Sequence, residues 1–273
     1  QLQTDRRQGE AMLIAGMLST FPALVINSLL FPMGLAAIGI TGLAMTEALT
    51  VTVSAPVGEE ICKFLAVLSL RGMIDSSRRG LQVGFTVGLG FAMLENLQYV
   101  LLSLVAEPTA AAFSYGFTSV IRGIGSIPGH AVWTGLGGYA LGCVQAKHAH
   151  HAEKAASSPA TWGLFNAQTG QALATATSAW VVQRDAWTRR VASSFGPAPP
   201  RVVVPAVLVG IAGHALWNGS TVLLDVWLAD ASAFTQFFAF IGWILFLVVL
   251  VLQAGRRLFA AALMDADRPN GTF

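Results

Sequence analysis

The sequence predicts an all-α fold, a polytopic transmembrane bundle of six or seven helical spans in which one helix is broken or re-entrant. First, 54% of the 273 residues are hydrophobic and 11% are charged, whereas about a quarter of a soluble domain is charged. Second, apolar runs long enough to cross a bilayer alternate with short basic stretches. Third, these runs lack the period-two alternation that a transmembrane barrel requires. We therefore expect a single transmembrane domain over residues 1–273, in contact with the lipid bilayer.

Five apolar segments have the length of a single span, and they cover residues 11–31, 81–105, 118–146, 202–228 and 234–255. A sixth apolar segment, 33–70, is too long for one straight helix. Proline removes a backbone donor and glycine has low helix propensity. Pro56 and Gly58 therefore predict a break, with one helix ending near residue 53 and a second running from about 56 to 70.

Basic residues set the predicted orientation, because Lys and Arg concentrate in cytoplasmic loops. Arg71 and Arg78 place one loop in the cytoplasm. The next loop, at about 107–114, has no Lys or Arg and is predicted to be external. The basic segment at about 147–201 is then a cytoplasmic loop, and Arg256 predicts a cytoplasmic C-terminus.

Two further features of the chain bear on its partners. The net charge of +2 is too small to indicate nucleic acid binding. Within the basic loop, apolar residues at 175–195 recur at helical spacing beside arginines, which predicts an amphipathic surface helix. The orientation of the N-terminus stays open: two spans within 33–70 place it outside the cell, and one span with a re-entrant piece places it inside.

Ionisable residues inside the apolar segments are few, and such residues are costly and usually functional. Five of them are Glu59, Glu60, Glu95, His130 and His214. At a rise of 1.5 Å per helical residue, each lies roughly 17 to 25 Å from the nearest cytoplasmic basic residue. Four segments thus place carboxyl or imidazole groups in one layer, slightly beyond the bilayer midplane, and we predict that these groups form a single site.

The segment PVGEEICKF contains an acidic pair and a lysine. Glu59 and Lys63 are four residues apart and share a helix face, where the lysine can keep a buried carboxyl ionised. Glu60 points about 100° away from Glu59, since 3.6 residues complete one turn, and is expected to have a different role. An internal salt bridge that holds helices together is the alternative explanation. Further along the chain, Asn96 adds a polar group beside Glu95.

A heptapeptide occurs twice, as GHAVWTG at 129–135 and as GHALWNG at 213–219. In the second copy His214 and Asn218 lie four residues apart on one helix face, so both can donate hydrogen bonds to the oxyanion of a tetrahedral intermediate. A single histidine on an apolar face is usually a satisfied core residue. Here His130 and His214 lie at the same predicted depth as three glutamates, and this coincidence favours a functional site.

Three motifs together resemble those of the PrsW family of intramembrane proteases. They are EExxK at 59–63, FxxxEN at 91–96 and HxxxN at 214–218, in that order and in apolar settings. The resemblance extends over about 56–225. The family is distantly similar to the CAAX prenyl endopeptidases, whose second motif has a histidine where this chain has Glu95.

The resemblance implies a multi-pass endopeptidase of the bacterial plasma membrane. Its expected substrate is a single-pass membrane protein, namely an anti-sigma factor that receives its first cut on the external side. The resemblance also implies that Glu59, Glu60 and His214 are essential, with Glu95 and His130 completing the catalytic set.

The resemblance leaves the presence of a metal open. In the CAAX relatives a glutamate activates water without a metal. Alternatively, Glu95, His130 and His214 could form a His₂Glu zinc site, with Glu59 or Glu60 as the base. The HExxH motif that zinc proteases usually have is absent, which slightly favours the metal-free alternative.

The sequence therefore predicts peptide hydrolysis within the membrane. One of the paired glutamates is expected to act as general base, with Lys63 and Asn96 as supporting residues. His214 and Asn218 are expected to stabilise the oxyanion. Two other functions remain open: a proton- or ion-coupled transporter, since buried Glu and His also form proton relays, and a non-catalytic membrane scaffold.

Overall fold

The computed structural model describes residues 2–104, 111–156, 187, 190–191 and 198–266. The regular structure within these residues is helical, which confirms the predicted all-α bundle. Nine α-helices follow one another along this part of the chain: α1 (Leu2–Val25), α2 (Phe31–Ala37), α3 (Leu43–Leu49), α4 (Ala55–Ser69), α5 (Ser77–Leu104), α6 (Ala111–Ile121), α7 (Ile127–Ala156), α8 (Val203–Trp227) and α9 (Ala233–Ala266).

Three five-residue π turns join consecutive helices into longer rods. Ile26–Leu30 joins α1 to α2, Thr50–Ser54 joins α3 to α4, and Arg122–Ser126 joins α6 to α7. A proline cannot donate the helical hydrogen bond, and its ring crowds the carbonyl four residues earlier. The wider π turn absorbs this conflict without ending the helix. A proline accordingly occupies the second position after each π turn: Pro32, Pro56 and Pro128.

The predicted helix break near Pro56 is therefore wrong. The chain is helical without interruption from α3 into α4, because the π turn at Thr50–Ser54 accommodates the proline. The actual break lies earlier, between α2 and α3. There Gly39 has a φ of 88°, a left-handed conformation that glycine adopts at little cost. The nine helices thus form six rods: α1–α2, α3–α4, α5, α6–α7, α8 and α9.

Four of the six rods are long and apolar enough to cross a membrane, over Arg6–Ala37, Ser77–Ser103, Val203–Trp227 and Ala233–Asp265. The chain is therefore a multi-pass membrane protein. The remaining rods, α3–α4 and α6–α7, contain Glu59, Glu60, Lys63 and His130, all of which are buried within the bundle. The two rods that are not candidate membrane spans are thus the ones that contribute most of the buried ionisable side chains.

Glycines allow α5 to pack directly against α7. A Cβ atom added at Gly84 would lie 2.6 Å from the carbonyl oxygen of Thr134, and one added at Gly88 would meet the carbonyl oxygen of His130. Small residues four positions apart let helix backbones approach closely in membranes. This contact fixes the height of Glu95 on α5 relative to His130 on α7.

The first part of the predicted cytoplasmic loop is helical, since α7 extends to Ala156. Residues 157–186 and most of 187–197 lie outside the described residues, and so does most of the predicted surface helix at 175–195. The predicted external loop at about 107–114 is described only from residue 111 onward.

Polar contacts anchor the chain where it returns to the bundle before α8. Arg201 forms an ion pair with Asp265 of α9. The hydroxyl of Tyr139 on α7 donates a hydrogen bond to the same carboxylate at 2.8 Å. The start of α8 is thereby tied to both α7 and α9.

Candidate active site

The structure brings the five predicted ionisable residues together in one buried cluster. Glu59 and Glu60 lie on α4, Glu95 on α5, His130 on α7 and His214 on α8. Each of the five is at most 8% exposed. Their matched positions along four rods predicted that these side chains converge, and the structure shows that they do.

Glu60 has both carboxylate oxygens hydrogen-bonded. Oε1 accepts a hydrogen bond from Lys63 Nζ at 2.5 Å and contacts His214 Nδ1 at 3.1 Å. Oε2 accepts a longer bond from the hydroxyl of Thr134 at 3.5 Å. Because an ionised carboxylate only accepts hydrogen bonds, Nδ1 of His214 is the protonated nitrogen and Nε2 has the lone pair. Glu60 and His214 thus form one oriented pair.

Glu95 and His130 form a second pair of the same kind. Lys63 Nζ lies 2.7 Å from His130 Nδ1. Since an ammonium group can only donate, Nδ1 accepts and Nε2 has the proton, which it donates to Glu95 Oε2 at 2.9 Å. Arg122 donates to the same oxygen at 2.5 Å. Each carboxylate of the two pairs is therefore bound to one histidine and one cation.

Arg122 is itself held by three further groups. Its Nε donates to Asn96 Oδ1 at 2.6 Å, and an NH2 hydrogen reaches the hydroxyl of Ser126 at 3.2 Å. The guanidinium carbon lies 3.8 Å from the centre of the Tyr99 ring, a cation–π geometry. Asn96, predicted as a supporting residue beside Glu95, thus contacts Arg122.

Among the described residues, Glu59 is the glutamate with a fully buried oxygen that has no hydrogen-bond partner. Its Oε1 accepts a hydrogen bond from Asn27 Nδ2 at 3.3 Å. Asn27 is oriented by the hydroxyl of Ser54, which donates to Asn27 Oδ1 at 2.8 Å. The other oxygen, Oε2, is buried without a hydrogen-bond partner and lies 3.8 Å from Nε2 of His214.

The two heptapeptides pack against each other. The Trp133 ring of the first copy stacks on the His214 ring of the second, with centroids 4.7 Å apart and planes 12° apart. A Cβ atom at Gly213 would lie 2.7 Å from the indole nitrogen of Trp133, so glycine makes room for the ring. The His130 and His214 ring centroids are 5.0 Å apart. The repeat therefore serves to bring two histidines into contact across α7 and α8.

Asn218 lies one turn after His214 and connects α8 to a π turn. Its amide donates a hydrogen bond to the carbonyl oxygen of Val51 at 3.1 Å. The predicted oxyanion role therefore requires the second amide N–H of Asn218, and that role remains a prediction.

A cavity of about 180 Å³ lies beside the cluster. Glu59 and Glu95 line it together with Asn27, Thr50 and Gln98. Glu60, His130 and His214 are not among the residues that line it. A water molecule or a substrate in this cavity would therefore meet Glu59 and Glu95 first.

A comparison with protein families identifies the chain. The sequence profile of the PrsW family, described as intramembrane metalloproteases, matches residues 7–173. The chain belongs to the PrsW family. The matched range covers Glu59, Glu60, Glu95 and His130, whereas His214 lies beyond it and is brought to the cluster by the fold. Comparisons with curated proteins and with solved structures gave no match.

The PrsW description bears on the metal. Among the described residues, one group has the geometry to hold a metal ion: Glu59, His130 and His214 each place one ligand atom within 4.8 Å of the others. Sequence reasoning placed Glu95 in this set. Glu95 instead binds Arg122, and Glu59, with its unsatisfied oxygen, takes its place. The family description also favours the metal-bound alternative over the metal-free one.

Sequence reasoning did not assign to this PrsW site the residues that π turns contribute, although Arg122 stands out in the sequence as a charge within an apolar segment. Asn27 and Ser54 support Glu59, while Arg122 and Ser126 surround Asn96. These residues fall off the expected helix face, because a π turn shifts the helical register. The available signal was the proline that follows each π turn.

Proposed function

We propose that this chain hydrolyses a peptide bond of a membrane-anchored protein within the bilayer, at the buried cluster around Glu59. Membership of the PrsW family supports this activity. The observation that carries the proposal is Oε2 of Glu59, a buried oxygen with no hydrogen-bond partner. A buried polar atom without a partner is rare and costly, and this oxygen is the one carboxylate oxygen among the buried, unpartnered atoms of the described residues, so it is the group that a metal ion or a water molecule would satisfy.

The donor set fits a divalent metal ion such as zinc. Catalytic zinc sites commonly use three protein ligands, two His and one Glu among them. Ligand histidines usually donate their other ring N–H to a carboxylate. His214 has Glu60 in that position and His130 has Glu95. We assign Glu59, His130 and His214 as the ligands. When bound, zinc supplies a Lewis acid and makes water nucleophilic at neutral pH.

One contact in the site opposes metal binding. Lys63 occupies Nδ1 of His130, the nitrogen with the lone pair. Coordination through this nitrogen therefore replaces the hydrogen bond to Lys63, while the ion pair between Lys63 and Glu60 can remain.

Glu95 is the residue that we assign as proton acceptor. Its Oε2 is fixed by His130 and Arg122, and no described residue forms a hydrogen bond to its Oε1. Because Glu95 also lines the cavity beside Glu59, a carboxylate anchored through one oxygen presents the other to water. This role replaces the general-base role that sequence reasoning gave to Glu59 or Glu60. Asn218 remains the proposed oxyanion donor, whereas His214, as a metal ligand that donates its other ring N–H to Glu60, gives up that role.

The resemblance to PrsW proteases also supports a location and a substrate class. We place the protein in the bacterial plasma membrane with a cytoplasmic C-terminus, as the arginines at 256 and 257 indicate. The substrate to test first is a single-pass anti-sigma factor, cut near the external side of the membrane.

The test is cleavage in reconstituted vesicles that contain the full chain and a tagged single-pass anti-sigma factor, with products identified by mass spectrometry. The wild type is expected to cut the substrate, and Glu59→Gln and His214→Ala to leave it intact. Arg6→Met is the matched control, since it removes an exposed ion pair with Glu10. Cleavage by His214→Ala at the wild-type rate would contradict the proposal.

A further inference from the structure

Arg122 has no role in the family motifs, yet it makes the most extensive set of contacts around the second Glu–His pair. Its side chain is 18% exposed, and it begins the π turn Arg122–Ser126. An arginine inside the helical bundle of a membrane protein is costly. Such a residue is retained where its charge has a specific partner, and that partner here is Glu95.

The contacts of Arg122 use several faces of the guanidinium group. One edge binds Glu95 and Ser126, Nε binds Asn96, and the flat face covers Tyr99. Arginine is planar and has five fixed donors, whereas lysine has one flexible point charge. A lysine at this position could reach one partner but could not reproduce the set.

We propose that Arg122 is a positioning residue that locks the Glu95–His130 pair, so that the lone pair of His130 stays on Nδ1 and Glu59 rather than Glu95 completes the metal-binding set. This inference rests on the proposed function and deepens it. By binding Oε2 of Glu95, Arg122 keeps that oxygen in contact with Nε2 of His130. Arg122 therefore acts on the metal through Glu95 and His130, without touching the metal itself.

The experiment measures the zinc dissociation constant of the detergent-purified full chain by equilibrium dialysis, with zinc as the only ligand. Mutation of a hydrogen-bond partner of a metal ligand typically lowers metal affinity by about 10- to 100-fold, and we expect a loss of up to this size in Arg122→Met, which frees Glu95, the partner of His130. Arg122→Lys is expected to lose less, because it keeps the charge next to Glu95. Arg6→Met, the exposed control, is expected to bind zinc like the wild type.

A double-mutant comparison separates positioning from general structural support. If Arg122 acts through Glu95, the variant Arg122→Met/Glu95→Gln binds zinc as Glu95→Gln does, because contacting residues are not additive. The double variant also removes both buried charges, so it can fold even where Arg122→Met alone does not. Losses that multiply in the double variant would overturn the proposal, as would unchanged zinc affinity in Arg122→Met.

The zinc measurement is independent of substrate cleavage. If the variants show the expected zinc affinities but the wild type cuts no substrate, the role of Arg122 is kept and the proposed function is overturned. A wild-type chain that cuts its substrate in the presence of chelator and binds no zinc would overturn the role of Arg122 and leave the protease function in place.

Discussion

At the scale of single residues, the three buried glutamates differ in the groups that hold their charge. Glu60 is paired with Lys63 and Glu95 with Arg122, whereas no cation of the described residues forms an ion pair with Glu59. Burying a carboxylate without a partner costs several kcal/mol. The two cations therefore stabilise two of the three charges, and the third, at Glu59, is the one that a metal ion would neutralise.

Replacing each of the two adjacent glutamates is expected to have different effects on stability. Glu60→Gln leaves the fully buried Lys63 without its anion, and breaking a buried pair from one side costs about 3 to 5 kcal/mol. Glu59→Gln removes a charge that lacks a cation, and its side-chain oxygen can still accept from Asn27. Thermal unfolding in detergent without metal should therefore show a large loss of stability for Glu60→Gln and no loss of stability for Glu59→Gln. Equal losses in the two variants would contradict this division.

Asn218→Ala tests the remaining oxyanion assignment. Removal of an oxyanion donor typically lowers kcat by about 100- to 1000-fold, and we expect such a loss in kcat with little change in KM. The measurement is steady-state cleavage of the reconstituted substrate. If the only role of Asn218 is its bond to Val51, the variant loses thermal stability but keeps kcat in the folded fraction.

The sequence was sufficient to predict which residues meet in the site. It was not sufficient to predict the hydrogen-bond and ion-pair partners of each residue. The matched positions of Glu59, Glu95, His130 and His214 along their helices were sufficient to predict one cluster. The exchange of Glu95 for Glu59 in the candidate metal-binding group was not predictable, because Glu95 is bound to Arg122 instead. Its distance from Glu95 follows from the packing of α5 against a π turn, which no sequence spacing specifies.

At the scale of helices and turns, small residues and prolines determine where the functional side chains lie. Glycines on α5 fix its contact with α7, while the π turns before Pro56 and Pro128 set the rotation of α4 and α7. The sequence predicted the helices well because apolar runs of spanning length have few alternatives in a membrane. It failed at Pro56, since a proline can be accommodated by a π turn as well as by a break.

Gly84→Ala is expected to disturb the site through the packing of α5 on α7. The added Cβ would lie 2.6 Å from the backbone oxygen of Thr134, so the helices must separate, and overpacking of this kind costs about 1 to 3 kcal/mol. Gly116→Ala is the matched control, because no atom lies within 4 Å of its added Cβ. The unfolding temperature and the zinc affinity should both be lower in Gly84→Ala than in the wild type. Both should stay at wild-type values in Gly116→Ala. Equal behaviour of the two variants would contradict direct glycine packing.

At the scale of the whole molecule, four rods converge on one polar cluster inside an apolar bundle. α3–α4, α5, α6–α7 and α8 each contribute at least one member. No contact between sequence neighbours could assemble such a site, so the site exists only when all four rods are packed. Ligand binding at the cluster and stability of the bundle are consequently linked.

Zinc is therefore expected to stabilise the whole bundle. A ligand that binds only the folded state adds stability that grows with its concentration, by about 2.7 kcal/mol at 100 times Kd. Addition of zinc should raise the unfolding temperature of the purified wild type, and chelator should reverse the rise. His130→Ala/His214→Ala should show no zinc-dependent shift. A shift of wild-type size in that double variant would place the metal elsewhere.

The three π turns also have a consequence for how this chain can change over evolutionary time. A π turn contains one residue more than the α-helical turn it replaces, so it is equivalent to a single-residue insertion within a helix. Deleting one residue from Thr50–Ser54 would rotate all of α4 by about 100° and turn Glu59 and Glu60 away from the histidines, although every motif letter would be unchanged. Homologues aligned without gaps at these turns can therefore match every motif and still differ in which side chains face the cavity.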